Sequence, residues 1–544
     1  MFSLRVQDPT RRLSVYPERR RIAQHWLLHA GRRVGSLVLG VLFPTGREQR
    51  RLVLRVAQYD SHYSALESQG FRSEAQLLRQ QFTHLGQMDA LATQCFALAA
   101  AAARRELGIK IHDEQLIGGW VMYKGGVAQM ATGEGKSVAC MLAACAAALS
   151  GTPVHVISTD DRQAERNATW FGPVYAALGL KLGLVVTDSS IGHRRKAYHS
   201  DVTYCSSRQV AFDYLQDRLL LQRHRGSLHM QIDALGKDAK FSEQLRLQGL
   251  CCAFVDDADS VLVEDGLAPL ILCRSGRTVR TPEEADAEVV ARISFPRFFQ
   301  RYLKLGGVGA ELQGLSTELY RTYGLKVRRI APRRDVTLEP APRQVFASES
   351  EKWAAICAQV AERHAKRQPV IVAVSSDEAA ERLSIELSAA SIPHQLPETL
   401  LRMSIADVEE RAGLPGAVTV TTMLAAPGNR VSSGSTSREF GGLHVILSEL
   451  HRFARIDNRV LDRTRLSGEP CSTVAMLSLE DAQATQFLPP WLISLSLRFN
   501  QLGANRLLKH AQKMQERADA RARRRLLVAE QQLDEVLAFS GMPI

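Results

Sequence analysis

The chain has 544 residues, 45% of them hydrophobic, so it is long and apolar enough for two to four folded domains and is not a disordered chain. Its net charge of +12 at pH 7 suits an acidic partner surface, which is anionic lipid, nucleic acid or an acidic protein. The nine cysteines form no CxxC pair and no Cys/His cluster, which predicts reduced, cytosolic thiols and argues against structural zinc.

No apolar run reaches the roughly 18 residues of a membrane span. The apolar run from residue 36 to 43 predicts a strand or a turn of buried helix rather than a signal peptide, because a long basic stretch precedes it and no small-residue cleavage site follows. We therefore expect a cytosolic chain that can lie on a membrane surface.

Residues 1–55 are rich in arginine, and two interpretations of this segment stay open. It forms a solvated charged face or a frayed terminus, or its arginines contact anionic lipid head groups, each contributing about 1 kcal/mol near the surface. Residues 60–108 predict helices that end in an alanine-rich run. The adjacent arginines are Arg11 and Arg12, Arg19 to Arg21, Arg32 and Arg33, and Arg50 and Arg51.

The stretch from Met130 to Ser137 (MATGEGKS) has the pattern of a phosphate-binding loop. Gly133 and Gly135 allow the backbone to turn tightly and to point its N–H groups at a triphosphate, and an apolar helical run follows at once. In such a loop Lys136 reaches the β- and γ-phosphates and the Ser137 hydroxyl ligates Mg²⁺. The strict pattern has Gly where Met130 stands, so a glycine-rich turn remains the alternative interpretation.

From residue 115 onward short apolar runs alternate with helical patterns, which predicts parallel sheets in an α/β architecture. Examples are Val154 to Ser158, Val370 to Val374 and Val418 to Val420. We divide the chain into a basic segment (1–55), N-terminal helices with a first α/β lobe (56–335), a second α/β lobe (336–490) and a helical segment (491–544).

A partner carboxylate for Mg²⁺ is expected at the end of a strand beside the phosphate loop. The run from Cys251 to Val255 predicts such a strand, and Asp256 and Asp257 follow it directly. Asp256 suits a Mg²⁺ site, through water, and Asp257 suits the orientation of an attacking water molecule. Acidic residues also cap strands in many proteins, so the pairing with the phosphate loop carries this prediction.

The last block has an apolar residue every three or four positions from Leu507 to Val536, which predicts one long amphipathic helix. Arg521 and Arg523 to Arg525 surround this stripe. We favour a helix that docks on the α/β blocks and leaves a solvated basic face over the alternative of a grip on nucleic acid.

The sequence resembles SecA, the ATPase motor family of bacterial preprotein translocation. The resemblance implies two RecA-like lobes with parallel sheets that bind ATP between them, followed by a long scaffold helix. It extends from about residue 60 to 490. The stretches that carry it are Gln115–Gly119 with Met130–Ser137, Val154–Arg166, Asp201–Tyr204 with Phe212–Leu215, Asp256–Pro269, and Gly441–His444 with Arg455–Asn458 and Leu477–Asp481.

The resemblance also implies roles for individual residues in binding ATP and Mg²⁺. Gln115 matches the residue that contacts the adenine edge, and Asp213 matches a residue that supports Mg²⁺ or its waters. Arg463 matches an arginine that stabilises charge on the γ-phosphate, and Glu469 matches an acidic residue that touches nucleotide. The residues that match the phosphate cradle are Gly133, Glu134, Gly135, Lys136 and Ser137.

Several matched positions depart from the family pattern. Asp257 stands where the family has Glu, and Leu466 stands where it has a second arginine finger. The second-lobe glycine-arginine-glycine motif reads Ala426 to Arg430 (APGNR), and the loop Gly306 to Ala310 lacks the usual threonines. An arginine finger can contribute about 10³ or more in rate. We therefore expect ATP binding with slow hydrolysis.

The family also carries domains for which this sequence has no room. Only some twenty residues separate the Asp256–Pro269 region from the segment Ile293 to Leu305, where the family inserts a preprotein-binding domain. The helical wing, two-helix finger and zinc-binding tail of the family have no counterpart either. A shortened member of this kind is missing the polypeptide clamp of a complete motor.

Three functions follow from these observations. The first is a SecA-like motor for protein export at the cytosolic membrane face, which works with a translocation channel or other secretion components and with an exported protein as substrate. The second is a catalytically impaired nucleotide-binding adaptor of a specialised secretion system. The third, a nucleic-acid helicase, rests on the basic charge and the two-lobed architecture, and it is disfavoured because the motifs match the translocase.

Overall fold

The computed structural model divides the chain into two compact units, Met1–Arg333 with Arg523–Ile544, and Arg334–Ala522. Both units contain a parallel sheet with helices around it, which confirms the predicted α/β class. The apolar run from 36 to 43 lies outside the described residues. The structure describes residues 16–19, 45–223, 244–267, 269–273, 278–279, 289–312, 314–333, 342–396, 411–422, 439–465, 471–489, 491 and 501–539.

Four helices of the described residues precede the first sheet, and the alanine-rich one is the centre of their packing. The side chains from Leu91 to Ala103, with the exception of Gln94, are buried, because alanine allows neighbouring helices to approach from every side. The first of these described helices begins inside the segment that the sequence assigns to the basic N-terminus. The helices are α1 (Thr45–Ser64), α2 (Ser68–Leu85), α3 (Asp89–Leu107) and α4 (Asp113–Tyr123).

The first unit is built on a seven-stranded sheet in the order β10-β1-β9-β5-β2-β4-β3, with every pair parallel. Its central strands are short and buried on both faces, as continuous apolar runs predict. The strands are β1 (Val127–Gln129), β2 (Val154–Ser158), β3 (Leu182–Val185), β4 (Val202–Ser206), β5 (Cys252–Asp256), β9 (Lys304–Gly309) and β10 (Val327–Arg329). The helices between them are α5 (Lys136–Leu149), α6 (Asp161–Ala177), α7 (Ile191–Tyr198), α8 (Ser207–Arg223), α9 (Phe295–Gln300) and α10 (Ser316–Tyr323).

A small antiparallel sheet, which the sequence did not predict, stands between β5 and β9. Its order is β7-β6-β8, and it is formed by β6 (Pro269–Cys273), β7 (Thr278–Val279) and β8 (Val289–Ser294). This is the region where the resemblance implies an inserted preprotein-binding domain in other members of the family. Here the chain pairs with itself over a few residues, too few for a recognisable period of two.

The second unit has a five-stranded parallel sheet in the order β11-β15-β14-β12-β13. Separate clusters of buried side chains cover its two faces. The strands are β11 (Arg343–Phe346), β12 (Val370–Ala373), β13 (Val418–Thr421), β14 (Leu443–Leu447) and β15 (Cys471–Ser478). The helices are α11 (Glu349–Ala365), α12 (Asp377–Ala389), α13 (Ala454–Arg465) and α14 (Ala482–Phe487).

The predicted long helix is α15 (Gln501–Phe539), which has 39 residues. In the second unit Ala504, Leu508 and Ala511 belong to the core on one face of the sheet. In the first unit the Arg523 guanidinium donates to both carboxylate oxygens of Glu318, at 2.7 and 3.0 Å. Glu530 accepts from the backbone N–H of Ser294 at 2.9 Å. None of the described helices combines the length and the apolar character that a membrane crossing requires.

Candidate nucleotide site

The predicted phosphate-binding loop connects β1 to the start of α5. Gly133 and Gly135 have φ angles of 88° and 83°, in the left-handed region that favours glycine. A Cβ atom on Gly135 would lie 2.4 Å from Nε2 of Gln115, so the loop has no room for a side chain there. The loop thus has the backbone conformation and the close approach that its glycines predict.

Lys136 and Ser137, the first residues of α5, face the carboxylates at the end of β5. The Ser137 hydroxyl donates to Oδ2 of Asp256 at 2.8 Å, and the Lys136 ammonium forms an ion pair with Asp257. Asp257 has a φ of 63°, a left-handed conformation that Asp tolerates better than most residues. The structure therefore brings four of the predicted site residues together.

Two amide side chains that the sequence analysis missed complete this cluster. Gln163 Nε2 lies 3.2 Å from Oδ2 of Asp257 and 3.4 Å from Oδ2 of Asp256. Asn167 Nδ2 donates to Oδ2 of Asp256 at 3.1 Å. Asp160 caps α6 by accepting from the backbone N–H of Gln163 at 2.7 Å. Gln163 and Asn167 are four residues apart, a spacing that places both amides on one face of a helix that starts beside the site. This spacing is the sequence signal by which they could have been found.

The electrostatics of the cluster follow from burial and from the close carboxylates. Burial, followed by the charge of Asp257, raises the pKa of Asp256 to about 6. Burial alone would lower the pKa of Lys136, but Asp257, Asp259 and Asp256 raise it above its usual value. The ammonium is therefore charged, and its charge stabilises the neighbouring carboxylates.

The residues present fit Mg²⁺ and a phosphate group. Asp256 Oδ1 is buried and has no hydrogen-bond partner among the described residues, so one carboxylate oxygen remains available for a metal-bound water. A carboxylate and a hydroxyl are the oxygen ligands that Mg²⁺ prefers. Asp256 and Ser137 would hold the metal, and the loop of Gly133 to Lys136 would hold the phosphates.

Gln115 lies against the phosphate loop. Its Oε1 accepts from the backbone N–H of His112 at 3.1 Å in a capping box at the start of α4, and its Nε2 donates to the carbonyl oxygen of Glu134 at 3.1 Å. Both ends of the Gln115 amide are therefore hydrogen-bonded to backbone groups of the protein. Contact with an adenine edge stays a prediction, and it requires that the bond to the loop be exchanged for one to the base.

Asp213 lies in a different cluster from the phosphate loop. It is fully buried in α8, where it accepts from Arg194 at 2.9 Å, from Arg246 at 2.8 Å and from the Tyr198 hydroxyl at 3.0 Å. Two guanidinium groups on one buried carboxylate form a structural ion cluster, because removal of one partner leaves the others buried and unpaired. The hydrogen bonds described for Asp213 therefore assign it to the core of the unit, and a role beside Mg²⁺ stays a prediction.

The predicted residues of the second unit are described only in part. Arg463 lies in α13, and the position of its side chain is outside what the structure describes. Glu469, Leu466 and the run from Ala426 to Arg430 are outside the described residues. Their assigned roles stay predictions.

Comparison with known proteins decides the family. The profile of the SecA DEAD-like domain matches residues 45–287, and that of the SecA P-loop domain matches residues 336–439. The protein translocase subunit SecA 2 of Bordetella avium is 30% identical to this chain, over 99% of the chain and 99% of the relative. The chain belongs to the SecA family. This membership implies ATP as the nucleotide of the phosphate loop.

Other SecA proteins show the same relationship. SecA 3 of Magnetococcus marinus is 28% identical over 96% of this chain and 95% of the relative. The SecA of Desulfovibrio desulfuricans is 30% identical over 72% of this chain and 56% of the relative. The alignment with the Bordetella protein runs over 663 positions, more than the 544 residues of this chain, so that SecA carries segments without a counterpart here. This agrees with the shortened organisation predicted from the sequence.

Proposed function

We propose that this SecA-family protein binds Mg-ATP at the loop from Gly133 to Ser137, hydrolyses it slowly and couples it to protein export. The observation that carries the proposal is the set of contacts around the loop. Lys136 and Ser137 each face one of two adjacent carboxylates, Asp257 and Asp256. This arrangement has a place for a triphosphate, a metal and an attacking water.

The chemistry at the site follows from the groups of this chain. The loop N–H groups and Lys136 bind the phosphate oxygens, and Asp256 with Ser137 holds the ion. Bound Mg²⁺ supplies positive charge to the phosphate oxygens. Asp257 orients the attacking water. Before it can do this, Lys136 must leave its ion pair with Asp257 and bind the phosphates instead.

Slow hydrolysis is proposed for a geometric reason. In-line attack needs a carboxylate at water-orienting distance, and a misplacement near 1 Å can cost about 10²-fold in rate. Asp257 is one methylene shorter than the Glu of the family, and Gln163 Nε2 also contacts it, at 3.2 Å. Leu466 supplies no charge where the family has an arginine. Nucleotide binding draws on the loop of the first unit and does not depend on these positions.

Nucleotide binding by the Lys136→Ala variant tests this proposal. We expect ATP affinity to fall by at least about tenfold, because the variant removes the charge that meets the phosphates. Lys124→Ala is the matched control. Lys124 lies before the start of β1, whereas the phosphate loop follows its end, and Lys124 pairs with Asp89. Binding of a fluorescent ATP analogue measures both. Affinity of Lys136→Ala within about twofold of the unaltered protein would refute the loop assignment.

The alternative function is a nucleotide-binding adaptor that reports ATP without useful turnover. The contact that favours it is the ion pair between Lys136 and Asp257. In this ion pair the lysine assigned to the phosphates and the carboxylate assigned to the attacking water bind each other. In either case we propose a peripheral location on the cytosolic face of the membrane. The proposed partners are a translocation channel or another secretion component, and an exported protein.

A further inference from the structure

The exposed face of α15 in the second unit carries a row of basic side chains. The row consists of Arg506, Lys509, Lys513, Arg517 and Arg521, which we name the basic stripe. All five side chains are exposed, and none of them forms an ion pair with a residue that the structure describes. Steps of three and four residues keep them on one side of the helix, over a length of roughly 22 Å.

The two acidic residues on this part of the helix have other partners than the stripe. Asp519 is buried and accepts two hydrogen bonds from Arg452, at 2.6 and 2.5 Å. Glu516 accepts from the backbone N–H of Ala454 at 2.9 Å. Within the part of the chain that the structure describes, neither carboxylate of the segment from 501 to 522 forms an ion pair with a residue of the stripe. A solvated helix face ordinarily mixes the two signs of charge.

We propose that the basic stripe is a docking surface for an acidic helical segment of a partner protein. Charge complementarity requires an anionic occupant. Carboxylates three and four residues apart on a helix repeat every 4.5–6 Å or so, which is the repeat of the stripe itself. A helix laid along the stripe can therefore meet each basic side chain in turn.

Two other anionic occupants fit the surface less well. A single-stranded nucleic acid is typically bound by a basic groove together with aromatic side chains that stack on its bases, and the segment from 501 to 538 contains no aromatic residue except His510. A helix that lies in a membrane interface carries large apolar side chains beside its basic ones. Here Leu508 is buried in the core, and among the described residues of the segment from 501 to 522 Met514, 40% exposed, is the single large exposed apolar residue.

The stripe can be tested in the full chain with synthetic peptides. The probe is a helical peptide with Glu at steps of three and four along one face, and its control has the same composition with the Glu residues distributed around the helix. Two further probes represent the competing occupants: vesicles of phosphatidylglycerol for a membrane, and a single-stranded oligonucleotide of about 20 nucleotides for nucleic acid. The variant is Lys513→Glu/Arg517→Glu/Arg521→Glu. The control variant is Arg50→Glu/Arg51→Glu/Arg55→Glu, which reverses the charge of three exposed arginines on α1.

We expect the one-faced Glu peptide to bind at least about fivefold more tightly than the distributed one, and more weakly as salt rises. The stripe variant should lose on the order of tenfold in affinity, while the α1 control stays within about twofold. A one-faced Lys peptide should bind the stripe variant and not the unaltered chain, which shows that the variant is folded.

Three outcomes would overturn the proposal. They are equal binding of the two Glu peptides, an unchanged affinity in the stripe variant, and failure of the Lys peptide to bind that variant. Tight vesicle or oligonucleotide binding that the stripe variant abolishes, with no peptide binding, would assign the surface to a membrane or to nucleic acid instead.

Discussion

At the level of single residues, the candidate site depends on amide groups as much as on the carboxylates. The Gln163 amide has a fixed orientation, because its Oε1 accepts from the Thr159 hydroxyl at 2.7 Å and its Nε2 therefore faces Asp256 and Asp257. One neutral donor thus contacts the carboxylate assigned to the metal and the one assigned to water. We interpret Gln163 as a positioning residue.

The Gln163→Leu variant should lower ATP turnover by about tenfold, since a lost hydrogen bond to a charged group costs about 1.5–3 kcal/mol. ATP affinity should change by less than about threefold, because the phosphate loop is untouched. Gln94→Leu is the matched control, since it removes the hydrogen bond of 3.1 Å to Tyr59 in the N-terminal helices. Turnover and affinity measured separately distinguish the two effects. An equal loss of turnover in both variants would show that Gln163 acts through stability alone.

Much of the site could be predicted from the sequence because its spacing is local. The glycines, Lys136 and Ser137 occupy one loop, and Asp256 and Asp257 end one strand, so a short pattern specifies each part. Gln163 and Asn167 could not be predicted in the same way. Their roles depend on where the start of α6 lies relative to β5, which tertiary packing decides.

At the level of elements, α8 holds two buried aspartates with different partners. Asp213 is paired with Arg194 and Arg246, whereas Asp217 accepts from the backbone N–H groups of Arg246 and Leu247 at 2.9 and 2.8 Å. Burial raises the pKa of Asp217 to about 7 despite these hydrogen bonds. Periodicity predicts α8 as a helix but does not show that two polar residues lie on its buried face.

This pKa predicts how the stability of the first unit depends on pH. The folded protein retains the Asp217 proton up to about pH 7, whereas the unfolded chain releases it near 3.8. The free energy of unfolding should therefore fall as pH rises through this interval and become constant above it. Urea unfolding between pH 5 and 8 measures this. The Asp217→Asn variant should be less stable than the unaltered protein, but its free energy of unfolding should depend less steeply on pH. Asp188→Asn, at an exposed position, should keep the original slope, and an equal slope in all three proteins would contradict the assignment.

At the level of the whole molecule, the excess positive charge is carried partly by the N-terminal segment. Residues 16–19 are not free to act as a tether, because Tyr16 is buried and Glu18 pairs with Arg218 and Arg301 at 3.4 Å. Deletion of residues 1–55 would also remove part of α1. Charge reversal is therefore a cleaner test of membrane contact than truncation.

We predict that Arg32→Glu/Arg33→Glu lowers binding of the chain to anionic vesicles at low salt. Two charges reversed should cost about 2 kcal/mol or more near the surface, which is more than tenfold in affinity. The control is Arg321→Glu/Arg329→Glu, at exposed positions of the first unit. Vesicle flotation measures both. Binding that is equal in the two variants, or that salt does not weaken, would count against a specific N-terminal contact.

Asp257→Glu should raise the rate of hydrolysis, because it returns the carboxylate to the reach of the family residue. The left-handed backbone at this position favours Asp over Glu, so some loss of thermal stability should accompany the gain. Leu466→Arg added to Asp257→Glu should raise the rate further, since it supplies charge to the same phosphate. Ser137→Ala, which lacks the metal-binding hydroxyl, is the negative control.

The steady-state turnover of ATP by the unaltered chain, measured beside its ATP affinity, tests the account most directly. Active enzymes turn over at a median of about 10 s⁻¹, and a carboxylate misplaced by about 1 Å costs roughly 10²-fold. We therefore predict ATP binding that Lys136→Ala abolishes, with turnover on the order of 0.1 s⁻¹ or below that Asp257→Glu increases. Turnover of several per second in the unaltered chain, or a fall in rate with Glu at position 257, would contradict the account and identify a fully working motor.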